Sequence, residues 1–372
     1  MEFIIDKFVF LEILNKVQGI TQPKSNMPIL SNILIEAKSG NELQIVATDL
    51  KIGFVGQYST EVIIPGKTTI PSSKLYEIVR EFPKENIHIK ELENKWIQVV
   101  DESVKYNIVG MDPEEYPSLS DITDIDFLKI EADVFKKMID RTIFSVLTGE
   151  GYVEMTGINL EQEKTEEKNI LRMISTDGHR ISFVETALDI SEPSIFNEGI
   201  IIPKKGIVEA AKLLETEGNV LLGKKENKFV LKKDMETVIT RIIEGEFPDC
   251  KNIVPLDNKY SLIVDRAEFL KMLRRMSIFS SDKYRSVKFR IDNNFLEIVN
   301  TNPELGESNE MAAIKYDGDA LEIGFNPKYF IDTLNNMKSE KICIKLKDGE
   351  SSCLITGDED KDFVSVIMPM RV

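Results

Sequence analysis

The sequence predicts an α+β protein made of three tandem copies of one β-rich domain that carries two helices. Two observations predict it: six apolar stripes of helical spacing recur in the same order along the chain, and short runs of strand character fill the intervals between them.

The first helix of each copy is marked by Phe10, Ile13, Leu14 and Val17, then by Phe135, Met138, Ile139 and Thr142, then by Phe269, Met272, Leu273 and Met276. Residues at i, i+3, i+4 and i+7 share one helix face, so each set is a core-facing stripe. The second helix follows Pro71 with Leu75, Ile78, Val79 and Phe82, follows Pro203 with Ile207, Ala210, Ala211 and Leu214, and follows Asn326 with Phe330, Thr333, Leu334 and Met337. Proline and asparagine both suit a helix start.

Between the helices, runs such as Asn32–Glu36, Leu43–Ala47, Val62–Ile64 and Ile87–Lys90 are short, rich in β-branched residues and bounded by Gly, Asn or Pro. Turns, not crossover helices, join them, which predicts antiparallel sheet with roughly eight strands per copy. Looser matches reinforce the repeat: Glu93-Asn94-Lys95-Trp96 resembles Glu226-Asn227-Lys228-Phe229, and Glu115-Tyr116-Pro117 resembles Glu246-Phe247-Pro248. The copies are expected at 1–122, 128–250 and 258–372, each about 120 residues and large enough to bury a core. Their boundaries fall in Asp112–Asp126, which holds six acids and no base, and near Asp249–Lys259.

With 42% hydrophobic and 30% charged residues in 372, the chain has the composition of a folded globular protein. No apolar run approaches the roughly 20 residues needed to span a bilayer, and Met1-Glu2-Phe3-Ile4-Ile5-Asp6 lacks a basic leader and a long apolar core, so the cytoplasm is the expected location and no membrane partner is expected. Three cysteines build no disulfide framework and lack metal-ligand spacing. Cys343 and Cys353 flank a turn at Lys347-Asp348-Gly349 and could face each other across it, with two reduced thiols as the plainer reading.

Catalytic constellations are missing. His88 and His179 are the only histidines, and neither a Gly-x-Ser-x-Gly elbow, a phosphate-cradling Gly-Lys-Ser/Thr loop nor a dinucleotide fingerprint is present. The carboxylates of Glu161–Lys168 read as a solvated hairpin. No enzyme activity, cofactor or metal is expected.

A net charge of −16 argues against a protein that simply coats nucleic acid. The charge is uneven, however. Arg266–Arg290 carries eight bases and two acids, with Lys271 and Arg274 opposite the core stripe. Lys137 takes the matching place in the second copy, with Arg141 beside it, Arg80, Lys205, Lys212 and Lys328 lie on the outward sides of the second helices, and the first helix of the first copy offers only Glu12, Asn15 and Lys16. Basic residues recurring at equivalent places in an acidic chain point to a surface that faces a polyanion.

The three-fold repeat together with Thr176-Asp177-Gly178-His179-Arg180, Phe247-Pro248-Asp249, Gly324-Phe325-Asn326 and the terminal Met368-Pro369-Met370-Arg371-Val372 closely resembles the bacterial DNA polymerase III β subunits, the sliding clamps, over the whole chain. The resemblance implies the DNA clamp fold and a ring-shaped head-to-tail homodimer. Helices would line a hole around duplex DNA held without regard to sequence, and a continuous sheet would lie outside. It implies a non-enzymatic processivity factor that tethers the replicative polymerase, meets a clamp loader, and binds other proteins bearing clamp-binding motifs. A peptide-binding scaffold with no DNA role is the alternative.

Carried over by position, the resemblance implies a peptide pocket at Met155, Thr176, Gly178, His179, Arg180, Ile181, Pro248, Asn252, Ile253, Asn326, Tyr329, Ser352, Val366, Met368, Pro369, Met370 and Arg371. It implies a subunit interface joining Tyr106 and Ile108 to Ile278 and Phe279. It adds Lys24 to the DNA-facing set of Arg80, Lys137, Arg141, Lys205, Lys212, Lys271 and Arg274, and at two family aromatic positions this chain has Val153 and Glu154, with Tyr152 adjacent.

Overall fold

The computed structural model describes residues 1–21, 26–119, 122–250, 258–281, 283–316 and 318–371. Among them are six α-helices: α1 (Lys7–Val17), α2 (Ser72–Glu81), α3 (Ala132–Asp140), α4 (Lys204–Ala211), α5 (Arg266–Met276) and α6 (Pro327–Asn335). The six apolar stripes fall on them. All stripe residues are buried except Ala211, which is half-buried, and Phe82, Thr142, Leu214 and Met337 stay buried although they lie just past the helix ends. The starts repeat as well. The Asp6 carboxylate accepts from Val9 N at 3.0 Å and Asp265 accepts from Glu268 N at 2.9 Å, each satisfying one orphan donor of a first turn. Asn326 does the same for Lys328 N at 3.0 Å, with Pro327 in the first turn where its missing N–H costs nothing.

The strands pair antiparallel throughout, as expected for segments joined by turns. The chain packs as two compact units, Met1–Phe135 with Lys205–Ile242, and Lys136–Lys204 with Ile243–Val372. In the first unit a five-stranded sheet runs in the order Glu61–Ile64, Glu2–Asp6, Asn86–Glu91, Trp96–Val100, Lys105–Val109. An eight-stranded sheet runs Phe127–Glu131, Asn219–Lys225, Lys228–Lys233, Glu236–Arg241, Ile52–Ser59, Glu42–Thr48, Asn32–Lys38, Gly66–Pro71. In the second unit the nine-stranded sheet centres on Arg180–Ala187 beside Phe363–Ile367, and a four-stranded sheet ends on the edge strand Gly306–Ala313.

One rule runs through these sheets. The first strand of each sequence copy joins its last three in one sheet, and the middle strands form another, except that the short strands Glu61–Ile64 and Lys315–Tyr316 add to the first strand's other side. The last strand of the second copy, Glu236–Arg241, then pairs with Ile52–Ser59 of the first, and the last strand of the third, Phe363–Ile367, pairs with Arg180–Ala187 of the second.

Three expectations change. Cys343 lies opposite Thr356, and Cys353 lies opposite Ile367, so the two thiols do not face each other across the turn. Burial pushes the Cys353 thiol up to about 12, and at Cys250 burial followed by the Asp249 charge pushes it up to about 11, so both stay protonated and unreactive near neutrality. The Glu-Asn-Lys match is one residue out of structural step. Trp96 pairs with Val109 as Lys228 pairs with Arg241, so buried Phe229 corresponds to buried Ile97 and Trp96 stands partly in solvent. Arg141 is not outward-facing at all. Its guanidinium, 2% exposed, is locked to Asp360 and, at 2.6 Å, to Asp362.

Candidate functional site

The Thr176–Arg180 turn of the second unit is fixed by its own polar side chains. Thr176 Oγ1 donates to the Arg180 carbonyl at 2.8 Å and accepts from Gly178 N at 3.1 Å, while Asp177 Oδ1 accepts from the backbone N–H of His179 and Arg180 at 3.0 and 3.1 Å. Gly178 has φ +85° with open space around it, so the backbone conformation, not crowding, calls for glycine.

Arg180 is the hub. It donates from Nε to Asp177 at 3.0 Å, from Nη1 to Asp332 on α6 at 2.8 Å and from Nη2 to the Phe144 carbonyl at 2.6 Å, and it lies over the Tyr329 ring at 4.6 Å. A guanidinium with its donors so occupied positions its neighbours and has little left for a ligand. His179, by contrast, is exposed.

His179, Arg180, Asn326 and Tyr329 share the wall of a cavity of about 800 Å³, together with Phe144, Leu147, Pro327, Lys204, Lys328 and Arg285. Burial and then the Asp177 carboxylate push the Tyr329 phenol up, so it remains a hydroxyl donor at any physiological pH. The C-terminal segment is stitched alongside: Met368 N donates to His179 O at 2.9 Å and Met370 N to Gly324 O at 2.8 Å. Met155 is tied to the same wall through Leu147 N, which donates to Met155 O at 3.0 Å.

A second apolar element adjoins this turn. Ile181 and Val366 are cross-strand partners, and they pack with Ile174, Cys250 and Leu354 under half-buried Phe183, Phe247 and Val364. The alternate residues on the two strands, Ser182 and Ser365, bond to Ser145 and Thr333, so they face the helical side and the apolar cluster lies on the other face. Pro248 reaches the cluster through Cys250, whose N–H donates to the Pro248 carbonyl at 2.7 Å, and Ser352 precedes buried Cys353. Asn252 and Ile253 lie outside the described residues. The sequence reading missed Ile174, Phe183, Phe247, Leu354 and Val364. A signal was present, since the strands Asn169–Thr176 and Phe363–Ile367 carry apolar residues on both faces.

The remaining candidates are spread over both units. Tyr106 is on the edge strand Lys105–Val109, partly exposed, but Ile108 is buried within its own sheet and offers no side chain to a partner. Ile278 is 71% exposed on the short turn Ser277–Phe279, and Phe279 is half-buried. Each of the described cations proposed to face DNA has a partner on the protein: Arg80 has Glu81, Lys137 has Asp362, Lys205 has Asp49, Lys212 has Glu209, Lys271 has Glu268, and Arg274 bonds Asn335. Lys24 lies outside the described residues, and Tyr152 is 73% exposed. Among the described residues no group of three or more His, Cys, Asp or Glu side chains stands close enough to share a metal ion, and no helix is long and apolar enough to cross a membrane.

Profiles of the DNA polymerase III beta subunit match the chain from end to end: the N-terminal domain at residues 1–120, the central domain at 129–249 and the C-terminal domain at 251–371. The beta sliding clamp of Haemophilus influenzae is 31% identical over 378 residues, and that of Pseudomonas aeruginosa 29% over 374, each alignment covering 100% of both chains. Among solved structures, the sliding clamp of Bartonella birtlesii bound to griselimycin superposes with a TM-score of 0.93 at 29% identity over 100% of both chains. That of Bacillus subtilis gives 0.92 at 26%, covering 100% of this chain and 99% of the other. With three domain profiles in order and relatives matched along their whole length, the chain belongs to the DNA polymerase III beta subunit family of sliding clamps.

Proposed function

We propose that the chain, with domains at 1–122, 128–250 and 258–372, is a cytoplasmic, non-enzymatic processivity factor, and that two copies close head to tail into a ring around duplex DNA. The observation that carries the reading is the full-length three-domain match. The paired cations fit it. A topologically retained ring needs no strong phosphate contacts, and cations already paired with Glu or Asp, as Arg80, Lys137 and Lys271 are, permit sliding over the backbone at the cost of intrinsic affinity. Loading by a clamp loader onto a nicked plasmid should therefore leave the protein co-eluting with circular DNA in gel filtration and free of it after linearisation. Equal retention on both forms would leave a DNA-coating protein instead.

The groove proposed for partner peptides comprises the Thr176–Ile181 turn, the C-terminal segment and the apolar cluster of Ile181 and Val366. It would hold an extended segment of about five or six residues carrying a glutamine and two bulky apolar side chains, through which the replicative polymerase and other partners are tethered. The two backbone bonds from Met368 and Met370 support this, because they fix the terminal segment as one lip beside His179 and Asn326. Deleting residues 368–372 is expected to reduce binding of such a labelled peptide at least about tenfold, since one apolar wall and its O-ring are lost. Fluorescence anisotropy reads this directly, and equal affinity of the truncated chain would place the peptide elsewhere.

A further inference from the structure

The Thr176–Arg180 turn has a counterpart in the first unit, and the two differ in how their aspartates are neutralised. Thr48 Oγ1 donates to Ile52 O at 2.9 Å, as Thr176 does to Arg180, and Asp49 Oδ1 accepts from Lys51 N and Ile52 N at 2.9 and 2.7 Å, as Asp177 does from His179 and Arg180. Ile52 faces Thr240 as Arg180 faces Ile367, so Ile52 holds the place of Arg180. Asp49 Oδ2 then meets Lys205, in the first turn of α4, at 2.7 Å.

On the second helix of the third copy the place of Lys205 belongs to Lys328, since Ile207 and Ala210 match Phe330 and Thr333. Asp177 does not meet it. Arg180, where the first unit has isoleucine, bonds both Asp177 and Asp332 and so takes up the two carboxylates of the described cavity wall. Lys328 is exposed on that wall, and half-buried Lys204 stands on it too. Among the described residues neither ammonium has a hydrogen-bond or ion-pair partner, in contrast to the paired cations considered for DNA. Burial and then the Arg180 charge lower the pKa of the Lys204 ammonium, and the Asp332 carboxylate offsets only part of this. The charged form thus lacks the counter-charge that would stabilise it where it stands, and an arriving anion would supply it.

We propose that this cavity of about 800 Å³ is an acidic-residue subsite of the peptide groove, in which one or two carboxylates flanking the glutamine-bearing segment meet Lys204 and Lys328. The peptide class rests on the groove reading above; the two unpaired cations do not. His179 and Asn326 border both the groove and the cavity, so a chain extending from the groove enters the cavity directly. Both cations remain open to water, so the gain is modest and salt-sensitive.

The test titrates labelled peptides by fluorescence anisotropy at low and high salt: the bare glutamine-bearing segment, the same segment extended at one end or the other by two aspartates, and the matching asparagine extensions. The proteins are the full chain and Lys204→Gln/Lys328→Gln, with Lys328→Gln alone, on an exposed side chain, as the milder variant should the pair disturb folding. With the aspartates at one of the two ends, the acid-extended peptide should bind about fivefold tighter than its asparagine counterpart at low salt. That ratio should fall to about one in the double variant, and shrink in the single variant and at high salt. A ratio near one in the full chain with either extension, or a ratio that survives the double variant, would overturn the proposal and leave the groove in place. An oligothymidylate that displaces the acid-extended peptide at lower concentration with the same lysine dependence would overturn it too, giving the cavity to single-stranded nucleic acid. If the bare segment fails to bind, the groove reading falls, and labelled tetra-aspartate decides the cavity by itself: binding lost in the double variant keeps the anion subsite, and no binding removes it.

Discussion

Arg141→Ala is expected to destabilise the second unit by about 3–5 kcal/mol, the cost of leaving buried charge without its partner. Arg141 is almost fully enclosed, donates to Asp360 and Asp362, and lies 5.2 Å from the Phe363 ring centroid. Asp360 is wholly buried and also accepts from Lys338 N, Ser339 N and Ser339 Oγ at 2.9, 2.9 and 2.6 Å. Removing the guanidinium leaves that carboxylate charged in the interior with only neutral donors. Lys137 bonds the same Asp362 at 3.0 Å but is half exposed, so Lys137→Ala should cost about 1 kcal/mol or less. Arg141→Lys should recover only part of the loss, because one ammonium cannot span two carboxylates as the planar fork does. Urea unfolding followed by circular dichroism measures all three, and an Arg141→Ala midpoint matching that of Lys137→Ala would mean the buried pair contributes nothing.

The same network sets an acid limb. Burial alone would raise the Asp360 carboxyl, but the Ser339 hydroxyl, the backbone N–H groups of Ser339 and Lys338, and Arg141 together hold it below its ordinary 3.8. A carboxyl lowered in the folded state adds stability above its unfolded pKa and loses it as pH falls through the folded one. Stability of this unit should thus be complete above about pH 4 and fall below it.

Arg141 also shows where sequence periodicity stops being informative. Lys137, Lys271 and Arg274 lie within helices, and the 3.6-residue pattern puts them off the core stripe, where they are half or fully exposed. Arg141 lies one residue beyond the end of α3, where that pattern no longer governs direction, and its partners are more than two hundred residues away in sequence. The Thr176–Arg180 turn was legible because its bonds span four residues or fewer. The apolar cluster behind it was not, because Ile174, Ile181, Leu354 and Val366 become neighbours only through strand pairing. Local identity misled at Glu-Asn-Lys: four residues separate Glu91 from Trp96 while two separate Lys225 from Lys228, so the loop lengths absorb the one-residue offset.

Ile278→Asp is expected to convert the proposed dimer into soluble monomers. The sheet rule motivates it: the last strand of the second copy pairs with a middle strand of the first, and the last strand of the third pairs with the equivalent strand of the second. Applied once more, the rule leaves over Lys105–Val109, the last strand of the first copy, and Gly306–Ala313, the matching strand of the third. Both are edge strands. Their exposed apolar residues, Val109 at 59% and Met311 at 63%, are unusual on edges, which natural proteins normally protect with charge, bulges or cover. Pairing the two between copies would satisfy both edges; the contact joins unlike surfaces, and with a half-turn between copies it closes after two of them into a ring with two identical contacts. Phe279 lies 3.5 Å from where a Cβ on Gly306 would stand, which places the Ser277–Phe279 turn beside the edge strand, and Ile278 projects from that turn into solvent. An aspartate there costs the monomer nothing in packing, but within a closed interface it would be an unpaired buried charge worth several kcal/mol, incurred at both contacts of the ring. Sedimentation velocity at micromolar concentration should give a dimer for the unaltered chain and a monomer for the variant, with matching thermal melts of the monomer fold. A variant that still sediments as a dimer would move the interface away from this edge.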